Sequence, residues 1–208
     1  MLKYTEIFKS GICSEMLDNS RIIDFFDSLA ERWDSVQEID DSVMADILGN
    51  CGINKGMSVL DVASGTGILI PYYIENGVSD ITAVDLSPKM IERLSGKFPE
   101  VNAICGDANI CDFGREFDCI MIYNAIPHFE DAEALISHLS RFLKCGGVLS
   151  IAHGASVEVI NGCHSCCPEN VSNDLLPLDD MVKIMDKYFD ISVKISDSRM
   201  YQVVGRKL

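Results

Sequence analysis

Three groups of residues in this chain have the types and spacing to do chemistry. The first is SVLDVASGTG at 58–67, where an apolar run ends at Asp61 and a small, glycine-bearing turn follows at once. Glycines at 65 and 67 leave the backbone bare, so a ligand can come close against it. The second is a set of histidines. His128 and His153 each follow an apolar run that reads as a strand, and in open α/β sheets the carboxyl ends of strands face the ligand crevice. Histidine is the side chain most often used to move a proton near neutral pH. His138, inside a helical pattern, is expected at the surface. The third is NGCHSCCPEN at 161–170, with Cys163, His164, Cys166 and Cys167. Structural zinc ordinarily needs a second ligand pair. The chain has no second C-x-x-C, and only His153 stands near enough in sequence to supplement the first. No metal is therefore expected, and the stretch reads as a cysteine-rich lid over a substrate.

Regular elements must position these residues. A strand at Ser58–Val62 leads through the glycine turn to a helix ending near Glu75. A strand at Ile81–Val84 leads to Asp85 and to a helix opening at Ser87-Pro88, an N-cap followed by proline at the first helical position. Val101–Cys105 and Phe117–Tyr123 read as further strands, the latter apolar almost throughout, as buried parallel strands are. A helix over Glu130–Leu143, closed by Gly146-Gly147, precedes a strand at Val148–Ala152. Strands alternating with helices predict an α/β fold with a parallel, doubly wound sheet. Ile191–Ile195 and Met200–Arg206 are separated only by SDSR, too short for a parallel crossover, so that last pair is expected to be antiparallel. Leu178–Phe189 is amphipathic. Apolar residues at helical spacing from Ser20 to Leu48, among them Phe25, Phe26 and Trp33, predict a helical cap within residues 1–50. Residues 154–177 read as an insertion forming a substrate lid, and the whole of 1–208 as one domain.

Bulk properties narrow the partners. The 208 residues carry a net charge of −15, which counts against a nucleic-acid partner, since backbone binding needs a basic face. No apolar run reaches membrane-spanning length. No positively charged segment followed by an apolar stretch opens the chain, so no secretory signal is expected. Nine cysteines, several in apolar stretches (Cys105, Cys119, Cys145), are expected as small hydrophobes in a reducing cytoplasm rather than a disulfide framework.

Two ligand classes suit a glycine turn after the first strand. A dinucleotide wants G-x-G-x-x-G, but counting from Gly65 the third position is Ile70, so that fingerprint fails and an NAD-dependent oxidoreductase is disfavoured. The other class carries adenosine and an amino acid without phosphate. Here the sequence resembles the class I S-adenosylmethionine-dependent methyltransferases. Their first motif, an acidic residue then x-G-x-G-x-G, stands as Asp61 to Gly67, with Ala63 in place of the first glycine, as in the ubiquinone/menaquinone-biosynthesis branch. AVDLSPKMIERL (83–94), GDA (106–108), FDCIMIYNAIPHFED (117–131) and FLKCGGVLSI (142–151) follow in the family's order, and FFDSLAERWD (25–34) is similar to its N-terminal segment.

The resemblance implies a Rossmann-like, seven-stranded, mostly parallel sheet with an antiparallel last strand, and S-adenosyl-L-methionine as cofactor. Asp61, Ala63, Gly65 and Gly67 would shape the methionine end. Asp85, with Leu86 and Met90, would take the ribose, and Asp107 with Ala108 the adenine. Asn124 would close the floor and Trp33 the cofactor pocket. The loop after the fourth strand keeps Asn124 but lacks the (Asp/Asn)-Pro-Pro-(Tyr/Phe) of members acting on planar amino nitrogens. That disfavours a nucleobase or glutamine-amide substrate, and the leading expectation is a small-molecule acceptor, with His128 and His153 as catalytic candidates. The alternative is a non-catalytic cofactor-binding or metal- and thiol-responsive module using the cysteine-rich lid. The acceptor atom and the oligomeric state stay open.

Overall fold

Every residue of Ser58–Val62 is buried, and this run forms β1 near the middle of a seven-stranded sheet. A strand covered on both faces has no reason to alternate polar and apolar residues, and β1 does not. The computed structural model describes residues 17–37, 39–164 and 171–208, the side chain of His164 excepted. Cys166 and Cys167 of the cysteine-rich stretch lie outside the described residues. The other strands are β2 (Asp80–Asp85), β3 (Asn102–Cys105), β4 (Phe117–Tyr123), β5 (Leu143–His153), β6 (Asp190–Ser196) and β7 (Tyr201–Arg206), in the spatial order β3-β2-β1-β4-β5-β7-β6. All neighbours from β3 to β5 are parallel, while β7 runs antiparallel to both β5 and β6. The order reverses between β1 and β4, and the carboxyl ends there form the crevice of a doubly wound sheet.

Helices cover both faces. They are α1 (Asn19–Leu29), α2 (Trp33–Val36), α3 (Asp41–Asn50), α4 (Ile70–Glu75), α5 (Pro88–Lys97), α6 (Ala132–Ser140), α7 (Val157–His164) and α8 (Leu178–Met185). Val59 and Leu60 point to opposite faces, as successive strand residues must. Val59 joins the core containing Met44 and Ile47 of α3 and Tyr73 of α4. Leu60 joins the core of α6 and α8, with Leu135, Leu139, Met181 and Met185. Local chemistry starts the helices where expected: Asp18 caps α1, Asp40 caps α3, Asp131 caps α6, and Ser87 caps α5 with Pro88 behind it.

Three expectations need correction. The helix expected over Glu130–Leu143 stops at Ser140, and the glycine pair lies inside β5, which begins at Leu143. A Cβ on Gly147 would sit 2.9 Å from the Lys144 carbonyl oxygen and 3.1 Å from that of Asp118. The glycines let the strand bulge as its register against β4 passes from Phe117–Leu143 to Cys119–Val148. The helical cap expected within residues 1–50 holds α1, α2 and α3, of which α3 packs against a face of the sheet and not at its carboxyl edge. The amphipathic run Leu178–Phe189 is helical only as far as Met185, and Phe189 packs against Gly205 of β7. His138 is half-buried, not a free surface residue: its Nε2 donates to the Cys111 carbonyl at 2.9 Å, tying α6 to the loop after β3.

Candidate functional site

A cavity of about 480 Å³ opens at the carboxyl ends of β1, β2, β4 and β5, within the ~300–1,000 Å³ span of small-molecule sites. One half is built from the turn after β1 (Ala63, Ser64, Gly65), the exit of β2 (Asp85, Leu86, Ser87, with Met90 on α5) and the exit of β3 (Asp107, Ala108, Asn109). The other half comes from Tyr123 and Asn124 at the end of β4, His128 and Phe129 beyond them, His153 and Gly154 at the end of β5, and the inner face of α7. Ile22, Phe26 and Trp33 of α1 and α2 roof the first half.

Asp85 fastens the first half together. Its Oδ2 accepts from the Gly65 backbone N–H and its Oδ1 from that of Ser87, each at 2.8 Å. Burial pushes its carboxyl up to about 6, against the pull of those two N–H groups. A carboxylate has about four acceptor sites, so two remain for a ligand. Ser64 stands on the cavity wall with a buried hydroxyl that has no hydrogen-bond partner among the described residues. Such an orphan is costly unless a ligand or water satisfies it. A Cβ on Gly65 would lie 3.6 Å from Nε1 of Trp33, an ordinary contact, so glycine is required there by its φ of +55° rather than by the closeness of the roof.

The roof is tied to the sheet edge by three side chains. Asn19 Nδ2 donates to Asp107 Oδ2 at 3.0 Å. Asp27 accepts from the Ser87 hydroxyl and from the Lys89 N–H. Asp34 accepts from the Thr66 hydroxyl and pairs with Lys97 at 2.9 Å.

Two expected residues stand behind the wall. Asp61 is buried in β1 with Oδ2 unpartnered; burial, and then the charge of Asp85, push its carboxyl up to about 8. Gly67 is a packing position, where a Cβ would come within 3.0 Å of both Ile70 and Phe98. The remaining expected residues, Trp33, Ala63, Gly65, Asp85, Leu86, Met90, Asp107, Ala108, Asn124, His128 and His153, line the one cavity.

In the second half, Asn124 adopts φ +52° and its Oδ1 accepts from the Gly154 N–H at 3.1 Å, joining the ends of β4 and β5. A Cβ on Gly154 would lie 2.5 Å from the Tyr123 hydroxyl, so the glycine gives that ring its place. His128 Nδ1 bonds the Val171 carbonyl at 2.9 Å. A carbonyl only accepts, so Nδ1 carries the proton and Nε2 the lone pair. Burial lowers the His128 pKa and keeps the ring neutral. Its edge meets Phe26 at 5.0 Å. His153 is buried, and its ring meets Tyr201 edge-on at 6.0 Å. Sequence reasoning did not single out Ser64, Asn19 or Tyr123. Tyr123 was findable as the last residue of β4, whereas Asn19 lies outside every motif. Among the described residues, no cluster of His, Cys, Asp or Glu could hold a metal ion.

Residues 59–147 match the model of a methyltransferase domain. A demethylmenaquinone methyltransferase of Renibacterium salmoninarum is 31% identical over 102 residues, 49% of this chain and 43% of that protein. A malonyl-[acyl-carrier protein] O-methyltransferase of Priestia megaterium is 27% identical over 148 residues, 67% of this chain and 54% of that protein. The chain thus spans about half the length of the curated relatives it matches. The crystal structure of magnesium protoporphyrin IX methyltransferase from Synechocystis PCC 6803 with bound SAH superposes with a TM-score of 0.68 at 18% identity, covering 92% of this chain and 100% of that one. At that identity the likeness is one of fold.

Proposed function

We propose that residues 59–147, which match a methyltransferase domain, are of the class I S-adenosylmethionine-dependent kind, and that the chain transfers a methyl group from this cofactor to a small-molecule acceptor. The observation that carries the reading is one cavity with two unlike halves: Asp85, Ser64 and bare backbone on one side, two histidines and a tyrosine on the other. A cofactor-binding module without catalysis would have no use for the second half.

The residues of the first half fit the cofactor. Asp85 has acceptor sites left for a vicinal diol. Leu86, Met90 and Ala108 offer apolar flanks for a purine, with Asp107 at its edge. The Ser64 hydroxyl and the backbone at Ala63 and Gly65 face the amino-acid end, with Asp61 and Gly67 supporting the turn from behind. When bound, the cofactor supplies an electrophilic methyl on a sulfonium. The chain holds the acceptor in line with that methyl and keeps water out; positioning of this kind can remove a large part of a barrier. Where the acceptor arrives protonated, His128 Nε2 takes the proton, with His153 the second candidate. The roof of α1 and α2 acts as the cap over the cofactor, and 154–177 as the substrate lid of a single domain. We place the protein in the cytoplasm without a nucleic-acid partner; the free thiols of Cys51, Cys105, Cys111, Cys119 and Cys145 suit a reducing compartment.

The test is calorimetric titration with S-adenosylmethionine and S-adenosylhomocysteine. Micromolar binding of both is expected, weakened about ten-fold or more in Asp85→Asn, as loss of hydrogen bonds to a charged group implies. Because Asp85 titrates at about 6, wild-type affinity should fall as pH drops through that value and the carboxylate is lost. Unchanged affinity in Asp85→Asn would overturn the assignment.

A further inference from the structure

Resting on the methyltransferase reading, the acceptor half of the cavity carries a narrower statement about chemistry. Its walls are the ring of Phe129, the neutral imidazole of His128, and Val159 and Ile160 from the inner face of α7, and the roof ring of Phe26 meets it at His128. The charged side chains that reach the cavity are Asp85, Asp107 and Glu130, every one a carboxylate; among the described residues no lysine or arginine lines it. Phe129 and Glu130 are shared with an adjoining groove, which adds Asp131, Glu133 and Asp174. Lys187 approaches there, but its Nζ is bound to Glu133 at 2.7 Å.

We infer that the acceptor is a ring-bearing molecule without negative charge, and that carboxylates and phosphates are excluded. The apolar walls favour a flat hydrocarbon body, since aromatic edges and faces pack well against such rings. An anion entering would leave water for walls that, among the described residues, offer no lysine or arginine as counter-ion. It would also approach the carboxylates of Glu130 and of the adjoining groove, whose field opposes it. A protonated amine would lose water too, but would move down that field.

The experiment uses the full chain saturated with S-adenosylhomocysteine and three ring-matched probes at neutral pH: 1-naphthol, 1-naphthylmethylammonium and 1-naphthoate. Calorimetry should show the alcohol and the ammonium each binding about ten-fold or more tightly than the carboxylate. The ammonium is the control for desolvation, since it is as charged as the carboxylate and differs in sign. Naphthoate binding as tightly as either of the others, or no naphthol binding below millimolar, would overturn the inference. Failure of S-adenosylhomocysteine itself to bind would overturn the methyltransferase reading and the inference with it.

Discussion

Ala63 turns the chain at φ +52°, in the left-handed region where an L side chain crowds its own carbonyl. That conformation costs about 1–2 kcal/mol for a residue with a Cβ. Glycine would relieve it, and would give back about 0.5–1 kcal/mol through greater freedom in the unfolded chain. Ala63→Gly should therefore raise Tm by about 1–2 °C, read by calorimetric unfolding; a fall would mean that the methyl contributes packing that outweighs the strain. Asp61 gives a second prediction. Its folded-state carboxyl titrates at about 8, far above the ~3.9 of an unfolded chain. The folded protein thus holds a proton that the unfolded chain has released, and stability falls as pH rises from about 4 to about 8. Asp61→Asn keeps the shape and cannot ionise. It should raise the urea midpoint clearly at pH 8 and little near pH 4, where the wild-type side chain is neutral in both states. An equal gain at both pH values would assign the effect to something other than the buried charge.

The roof of α1 and α2 makes no strand pairing, and its hold on the sheet edge rests on packing and on the bonds of Asn19, Asp27 and Asp34. Lys97 and Asp34 are partly exposed, at 34% and 43%, so their pairing is worth at most about 1 kcal/mol. Asp34→Ala also removes the Thr66 bond. It should weaken S-adenosylhomocysteine binding by roughly five-fold and speed amide exchange in α1 and α2, with little change in Tm. Exchange unchanged in those helices would mean that packing alone holds the roof. Elements of this kind are the least legible in sequence. β1 and β4 announce themselves as apolar runs, and α5 by Ser87-Pro88. By contrast α2 is four residues long, too short for a period to show. The start of β5 was hidden because Gly146-Gly147 after a helical pattern reads as a helix stop. The close approach of the Lys144 and Asp118 carbonyls, which explains those glycines, exists only once β4 and β5 are paired.

At the scale of the molecule, five parallel strands carry the site, while β6 and β7 complete the sheet and close the core over α8. Gly205 is the tightest point of that closure: a Cβ there would lie 2.6 Å from Cβ of Phe189. Gly205→Ala should cost about 2 kcal/mol by overpacking and lower Tm by about 4–8 °C. A Tm within error of wild type would show that the end of α8 yields freely. The topology was legible because strand–helix alternation, and a final gap too short to cross over, leave few arrangements. The cofactor half of the cavity was legible through motifs local in sequence. The acceptor half was not, because Phe129 and Ile160 are brought to one cavity only by the fold, and no spacing in the chain foretells it.

Trp33 is the sole tryptophan among the 208 residues. Its indole lies on the roof, over the bare backbone of Gly65. The protein therefore carries its own unlabelled optical reporter at the point where roof and floor meet. Stopped-flow emission would follow arrival and departure at that point in real time, free of background from any second indole. Roof opening, seen as a phase whose rate does not depend on ligand concentration, could then be separated from encounter, whose rate does.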